Sequence, residues 1–118
     1  MEAKSSFLRS FGYAFEGVTS ALKGRNFKII VGAGFVASIA AFILKFSASE
    51  WVVLVLTIDI VITSELINTS IEAVVDLVSP EIRDRAKIAK DVSVAAVLIS
   101  SIFAVCMGAL LFLPKILR

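Results

Sequence analysis

Residues 51–78 read WVVLVLTIDIVITSELINTSIEAVVDLV, and the fold turns on this run. A helix needs about 20 mostly apolar residues to cross a bilayer core of about 30 Å, and this run exceeds that length. Its first part, up to Ser64, is greasy except for Asp59 and a few hydroxyls. Its second part carries Glu65, Asn68, Glu72 and Asp76. At about 100° per residue these four share one helical face within about 80° of arc, and the column from Glu65 to Asp76 is about 16 Å tall. A charge at the bilayer centre costs about 2.5–3.5 kcal/mol on insertion scales, so three carboxylates on one face need compensation by a divalent cation or by lysine and arginine. The plainer alternative is a column that snorkels or pairs structurally. It is strongest for Asp76, nearest the wet interface. Asp59 lies six residues before Glu65 and points about 120° away from it. It reads as a polar contact to a neighbouring helix or subunit, or as a neutral acid.

Two further apolar stretches flank this one, at 29–46 and 92–113. Open sheets cannot cross a bilayer, and there are too few segments for a barrel, so the reading is all-α with three transmembrane helices at 29–46, 51–78 and 92–113. Composition agrees. Of 118 residues 58% are hydrophobic and 19% charged, with a mean hydropathy of +0.96, against about 45–50% and 25% for soluble domains. Connections fall at 45–50 and 79–91. Pro80 is a helix breaker, and Pro114 is expected to end the third span. Ala96, Ser100, Ala104 and Gly108 form a four-residue small stripe suited to close helix packing, as do Gly32, Gly34, Ala37, Ser38 and Ala41 in the first span. Cys106 reads as a small packing residue.

Ahead of the first span, over about residues 5–25, Phe7, Leu8, Phe11, Phe15, Val18 and Leu22 recur at helical spacing while Arg9, Glu16 and Lys23 lie elsewhere. This is an amphipathic surface helix suited to the membrane interface, or, failing that, a helix docked on the bundle. Residues 1–118 are read as one domain. Nine of the twelve Lys and Arg residues lie before the first span or between the second and third, which places the amino terminus and the second connection in the cytoplasm. The net charge of +2 is too small for a nucleic-acid binder. The lone Cys106 forbids an intramolecular disulfide. The absence of histidine excludes Ser-His-Asp and Cys-His catalysis. Any metal must be a hard, oxygen-liganded ion such as Mg²⁺. Lys90-Asp91 enters the third helix at the level of Asp76, where a lysine suits phosphate and an acid suits Mg²⁺. Alone, such a pair usually marks a solvated helix end.

Glu65-Leu66-Ile67-Asn68-Thr69-Ser70-Ile71-Glu72-Ala73-Val74-Val75-Asp76, followed by Ala89-Lys90-Asp91 and Ala95-Ala96-Val97-Leu98, resembles the signature of the prokaryotic diacylglycerol kinase family, which also holds undecaprenol kinases of Gram-positive bacteria. The resemblance extends to Tyr13-Ala14-Phe15-Glu16-Gly17. Arg25-Asn26-Phe27, Glu50-Trp51 and Phe112-Leu113-Pro114-Lys115 are more similar to the undecaprenol kinase branch.

The resemblance implies a homotrimeric helix bundle in the bacterial inner membrane, with active sites between subunits facing the cytoplasm. It implies transfer of the γ-phosphoryl of ATP to a lipid alcohol with Mg²⁺, undecaprenol being the first expectation and diacylglycerol the alternative. By position Glu65 matches the general base, with Asn68 beside it in catalysis. Glu72 matches a metal ligand, with Asp91 a second. Tyr13, Asn68, Glu72, Asp76, Lys90 and Asp91 match nucleotide-binding positions. Where some members carry a second metal-binding glutamate, this chain has Ile30, which leaves Glu72 to act with Asp91, Glu16 or phosphate oxygens. Outside enzymes, an acidic column suits a small cation channel or transporter subunit, and, less well, a purely structural membrane subunit.

Overall fold

The computed structural model describes residues 2–81 and 83–118, with side chains from Ser6 onward. It contains four helices, α1 (Glu2–Ala21), α2 (Arg25–Ile43), α3 (Ala48–Val78) and α4 (Asp84–Ile116), and no strand among the described residues. The side chain of Lys4, counted above in the basic flank, lies outside those described. Helices α2, α3 and α4 are each long and apolar enough to cross a membrane. The chain is an all-α membrane protein.

From Ser6 to Ser20 every residue of α1 is exposed, including the apolar face, where Phe7 meets Phe11 edge-on at 5.1 Å and Phe15 is 77% exposed. The rest of the chain leaves this apolar helical face open.

The turn into α3 is fixed locally. Lys45 adopts φ 58° and reverses the chain. The Ser47 side chain accepts from Glu50 N at 3.3 Å, and Glu50 Oε1 accepts from Ser47 N at 2.8 Å, a reciprocal cap that satisfies two helix-end donors. The apolar run extends to Phe46, but α2 stops at Ile43. The backbone N–H of Phe46 donates to Ala41 O at 3.1 Å, and its ring turns back into the core beside Ala41 and Leu54. There it packs on Phe112 at 4.8 Å and on Trp51 at 6.2 Å. Lys115 Nζ lies 5.7 Å from the centre of that ring and 3.0 Å from Glu50 Oε1. One clasp therefore ties the α2–α3 connection to the far end of α4. Lys115→Met keeps the apolar stem and removes the charge. It is expected to lower Tm in detergent without changing helix content, and an unchanged Tm would remove the clasp from the stability of the fold.

Pro114 does not end the third span as the sequence suggests. It lies inside α4, which runs on to Ile116 and closes with Leu117 N on Leu113 O at 2.9 Å. A proline this near the end forfeits one hydrogen bond without breaking the last turn, and that turn brings Lys115 to Glu50. The second connection is also shorter than the 79–91 expected. It covers 79–83, because α4 begins at Asp84, an acid suited to the positive end of a helix.

Contact between α3 and α4 is extensive and that between α2 and α3 smaller. Gly34 permits the α2–α3 approach, since a Cβ there would lie 3.2 Å from Ile58 Cγ2. Ser64 and Ser100 hydroxyls meet at 3.0 Å across α3 and α4. Ala104 and Gly108 are half-buried, whereas Ala96, of the same stripe, and Cys106 face outward from the chain. Phe35, Phe42 and Phe103 are likewise exposed. Lipid solvates such side chains as well as a protein core does, so the helices associate through small and polar groups instead.

Candidate functional site

Two features of α3 set the site: its length and one polar face. Thirty-one residues of α-helix span about 46 Å, roughly 16 Å more than a hydrocarbon core. With Trp51 at one interface, about 20 residues reach the other near Ile71. Glu65 and Asn68 then lie within the apolar layer, Glu72 at its edge and Asp76 beyond it. Exposure follows that order. Glu65 is 6% and Asn68 5% exposed, Glu72 is half-buried and Asp76 is open.

The column is joined to α4 at two levels. At the open end Lys90 Nζ donates to Asp76 Oδ1 at 2.6 Å. Deeper, the Ser93 hydroxyl donates to Asn68 Oδ1, and Asn68 Nδ2 donates to Glu72 Oε1 at 2.8 Å. Among the described residues no hydrogen bond or ion pair reaches Glu72 Oε2. Asp91 Oδ2 accepts from Lys87 Nζ at 2.7 Å, one turn back on α4. Glu65, Asn68, Glu72, Asp76 and Lys90 are thus brought into one strip between α3 and α4. Tyr13 and Glu16 are not part of it: both are exposed on α1, and no described hydrogen bond or ring contact joins Tyr13 to the column. Asp59 is exposed on the apolar half of α3 and accepts from Thr63 on its own helix at 3.3 Å. Ile30 lies on α2 and lines a groove, not the strip.

That groove runs between α2, α3 and α4, with a volume near 430 Å³. Its walls are apolar and include Gly34, Leu54, Ile58, Ala104 and Gly108, and it reaches Val61, one helical turn from Glu65. A buried carboxyl therefore stands just past the end of an apolar trough.

The donors available for a metal are carboxylate oxygens, the ligands Mg²⁺ prefers. Among the described residues no three acidic side chains gather as a metal cluster. Mg²⁺ usually takes only one or two protein carboxylates and completes its shell with water and phosphate oxygens, so the half-buried Glu72, with Oε2 uncommitted, fits such a role. Sequence reasoning passed over Ser93. The signal was present as the first polar residue after Asp91, but a lone serine between two valines at the start of an apolar run points to no partner.

Comparison with known proteins agrees with the residues. The model of the prokaryotic diacylglycerol kinase family matches residues 12–112. The undecaprenol kinase of Bacillus subtilis (strain 168) is 35% identical over 93% of this chain and 90% of its own length. The diacylglycerol kinase of Synechocystis sp. is 43% identical over 95% of this chain, which spans 65% of that protein. The diacylglycerol kinase of Escherichia coli (strain K12) is 33% identical over 83% of this chain and 81% of its own length. Column, groove and likeness over most of the chain lead to one conclusion: this membrane protein belongs to the prokaryotic diacylglycerol kinase family and is a lipid kinase.

Proposed function

We propose that the chain transfers the γ-phosphoryl of ATP to undecaprenol, giving undecaprenyl phosphate, at the cytoplasmic face of the bacterial inner membrane. In this reading it acts as a homotrimer of single-domain subunits, with sites between subunits, and its amino terminus is cytoplasmic. The observation that carries the reading is the gradient along α3. A buried Glu65 adjoins an apolar groove at one end, and a solvent-open Asp76–Lys90 pair stands at the other. A reaction joining a lipid alcohol to a water-soluble nucleotide needs both environments within a few helical turns. Likeness to the Bacillus protein over nearly its whole length supports undecaprenol. Likeness to the Synechocystis protein favours diacylglycerol as the second reading.

The lipid body lies in the groove and presents its hydroxyl to Glu65. Glu65 accepts that proton as the oxygen bonds to the γ-phosphorus and the bond to the β–γ bridging oxygen breaks. ADP leaves, and the proton passes to water. Asn68 holds the column between base and nucleotide. Lys90, with Asp76 and Asp91 around it, meets the polyphosphate, and Tyr13 of α1 lies against the base of the nucleotide. Glu72, with Asp91 as a second carboxylate, would hold Mg²⁺, which supplies charge neutralisation on the phosphates. Phosphoryl transfer depends mainly on such positioning and neutralisation.

The test is a parallel assay in detergent micelles with γ-labelled ATP, undecaprenol or diacylglycerol, and Mg²⁺ present or chelated. The expected result is Mg²⁺-dependent labelling with kcat/KM for undecaprenol at least about tenfold above that for diacylglycerol. The reverse ratio would establish the second reading, and ion flux in liposomes without lipid labelling would return the chain to the channel class.

A further inference from the structure

Ser93 is the one buried residue of α4 among those described, at 6% exposure. Its hydroxyl faces Asn68 Oδ1 and also lies 3.2 Å from its own helix carbonyl at Lys90. A hydroxyl has one proton, and hydroxyls in helices commonly give it to a carbonyl three or four residues back. Here it goes across the helix interface instead. The reason follows from Glu72. An ionised carboxylate only accepts, so the Asn68 amide must turn Nδ2 toward Glu72, as found at 2.8 Å. Oδ1 then points at α4, where it is buried and needs a donor. Ser93 supplies that donor.

We infer that Ser93 is a positioning residue: its hydroxyl fixes the orientation of the Asn68 amide, and through it the Glu72 carboxylate that faces the nucleotide. The inference rests on the role given to Glu72 in the proposed function and adds a residue to which that reading gave no part. With the hydroxyl absent, the buried Oδ1 loses its donor, and the Asn68 side chain shifts to find another, which draws Nδ2 away from the Glu72 carboxylate. Glu72 then leaves the geometry that nucleotide and cation require. Lipid binding, at the groove end of the column, is untouched.

Ser93→Ala is the direct test, since alanine suits a helix and fits the space, and Ser93→Thr restores a hydroxyl. The readout is equilibrium binding of a non-hydrolysable ATP analogue in saturating Mg²⁺, with KM for the lipid measured separately. Ser93→Ala is expected to weaken analogue binding about tenfold, the scale of one hydrogen bond to a buried polar group, with KM for the lipid unchanged and affinity regained in Ser93→Thr. In a Glu72→Gln background the Ser93→Ala step should cost no further affinity, because the carboxylate that Ser93 holds in place through Asn68 is already gone. A purely structural serine would lower Tm and leave this non-additivity absent. Wild-type analogue binding by Ser93→Ala, or additive losses in the double variant, overturns the inference. If Glu72→Gln alone binds the analogue normally, the role of Glu72 falls and this inference with it. If Glu72→Gln is impaired while Ser93→Ala is not, only the role of Ser93 is lost.

Discussion

Glu65→Gln is expected to abolish lipid phosphorylation while Mg²⁺-ATP still binds. The two side chains have nearly the same shape, so packing between α3 and α4 at this 6% exposed position survives the exchange. What is lost is the ability to take a proton. General-base catalysis contributes about 10²–10⁴-fold, and burial leaves no bulk water to substitute for the carboxylate. The nucleotide, at the open end of a column about 16 Å tall, should bind with little change. Glu65→Asp gives a second point on the same line. It keeps a base but withdraws it by one methylene, and a misplacement of about 1 Å can cost about 10²-fold, so its rate should fall between wild type and Glu65→Gln. The measurements are turnover with labelled ATP and equilibrium binding of an ATP analogue on the same preparations. A wild-type rate in Glu65→Gln removes Glu65 from the chemistry. Loss of analogue binding together with turnover would mean that Glu65 supports the nucleotide end instead.

The sequence carried a good deal of this architecture because the bilayer leaves few choices. A run of apolar residues beyond about 20 must be a helix, and one polar face on it must find company. Glu65, Asn68 and Glu72 could therefore be placed on a common face from spacing alone. What stayed hidden depends on partners rather than patterns. The start of α4 at Asp84 escaped because Arg85, Lys87 and Lys90 are too polar for hydropathy to mark as helix, although they continue the same helix toward water. Phe46 looked like the end of a span and is a core residue, because the positive φ at Lys45 reverses the chain. The Lys115–Glu50 clasp joins residues 65 apart in sequence, and no local period encodes that. Ser93 was hidden for a similar reason. It stands between Val92 and Val94 at the start of an apolar run, where one hydroxyl carries no pattern, and only the facing Asn68 gives it meaning. Tyr13 shows a different limit: its helix could be drawn from periodicity, but how that helix sits relative to the column is not a property of α1 alone.

Glu72→Gln makes the complementary case, with binding impaired and the base left in place. Glu72 is half-buried at the edge of the apolar layer, with one oxygen held by Asn68 Nδ2 at 2.8 Å. An amide there keeps the volume and can still accept from Asn68, but it carries no charge. A hard cation discriminates sharply between those groups, since Mg²⁺ binds through anionic oxygens. Loss of one charge-assisted contact corresponds to about 10–100-fold in affinity. Mg²⁺-ATP binding should weaken by that factor, and the Mg²⁺ titration of turnover should move to higher concentration. KM for the lipid should hold, because the groove ends near Val61, on the far side of Glu65 from Glu72. Binding of nucleotide without divalent cation should also hold, and this control separates a metal role from direct contact with phosphate. If the metal titration of Glu72→Gln overlays that of wild type, the cation is held elsewhere. Asp91, on α4 and paired with Lys87, becomes the next carboxylate to replace.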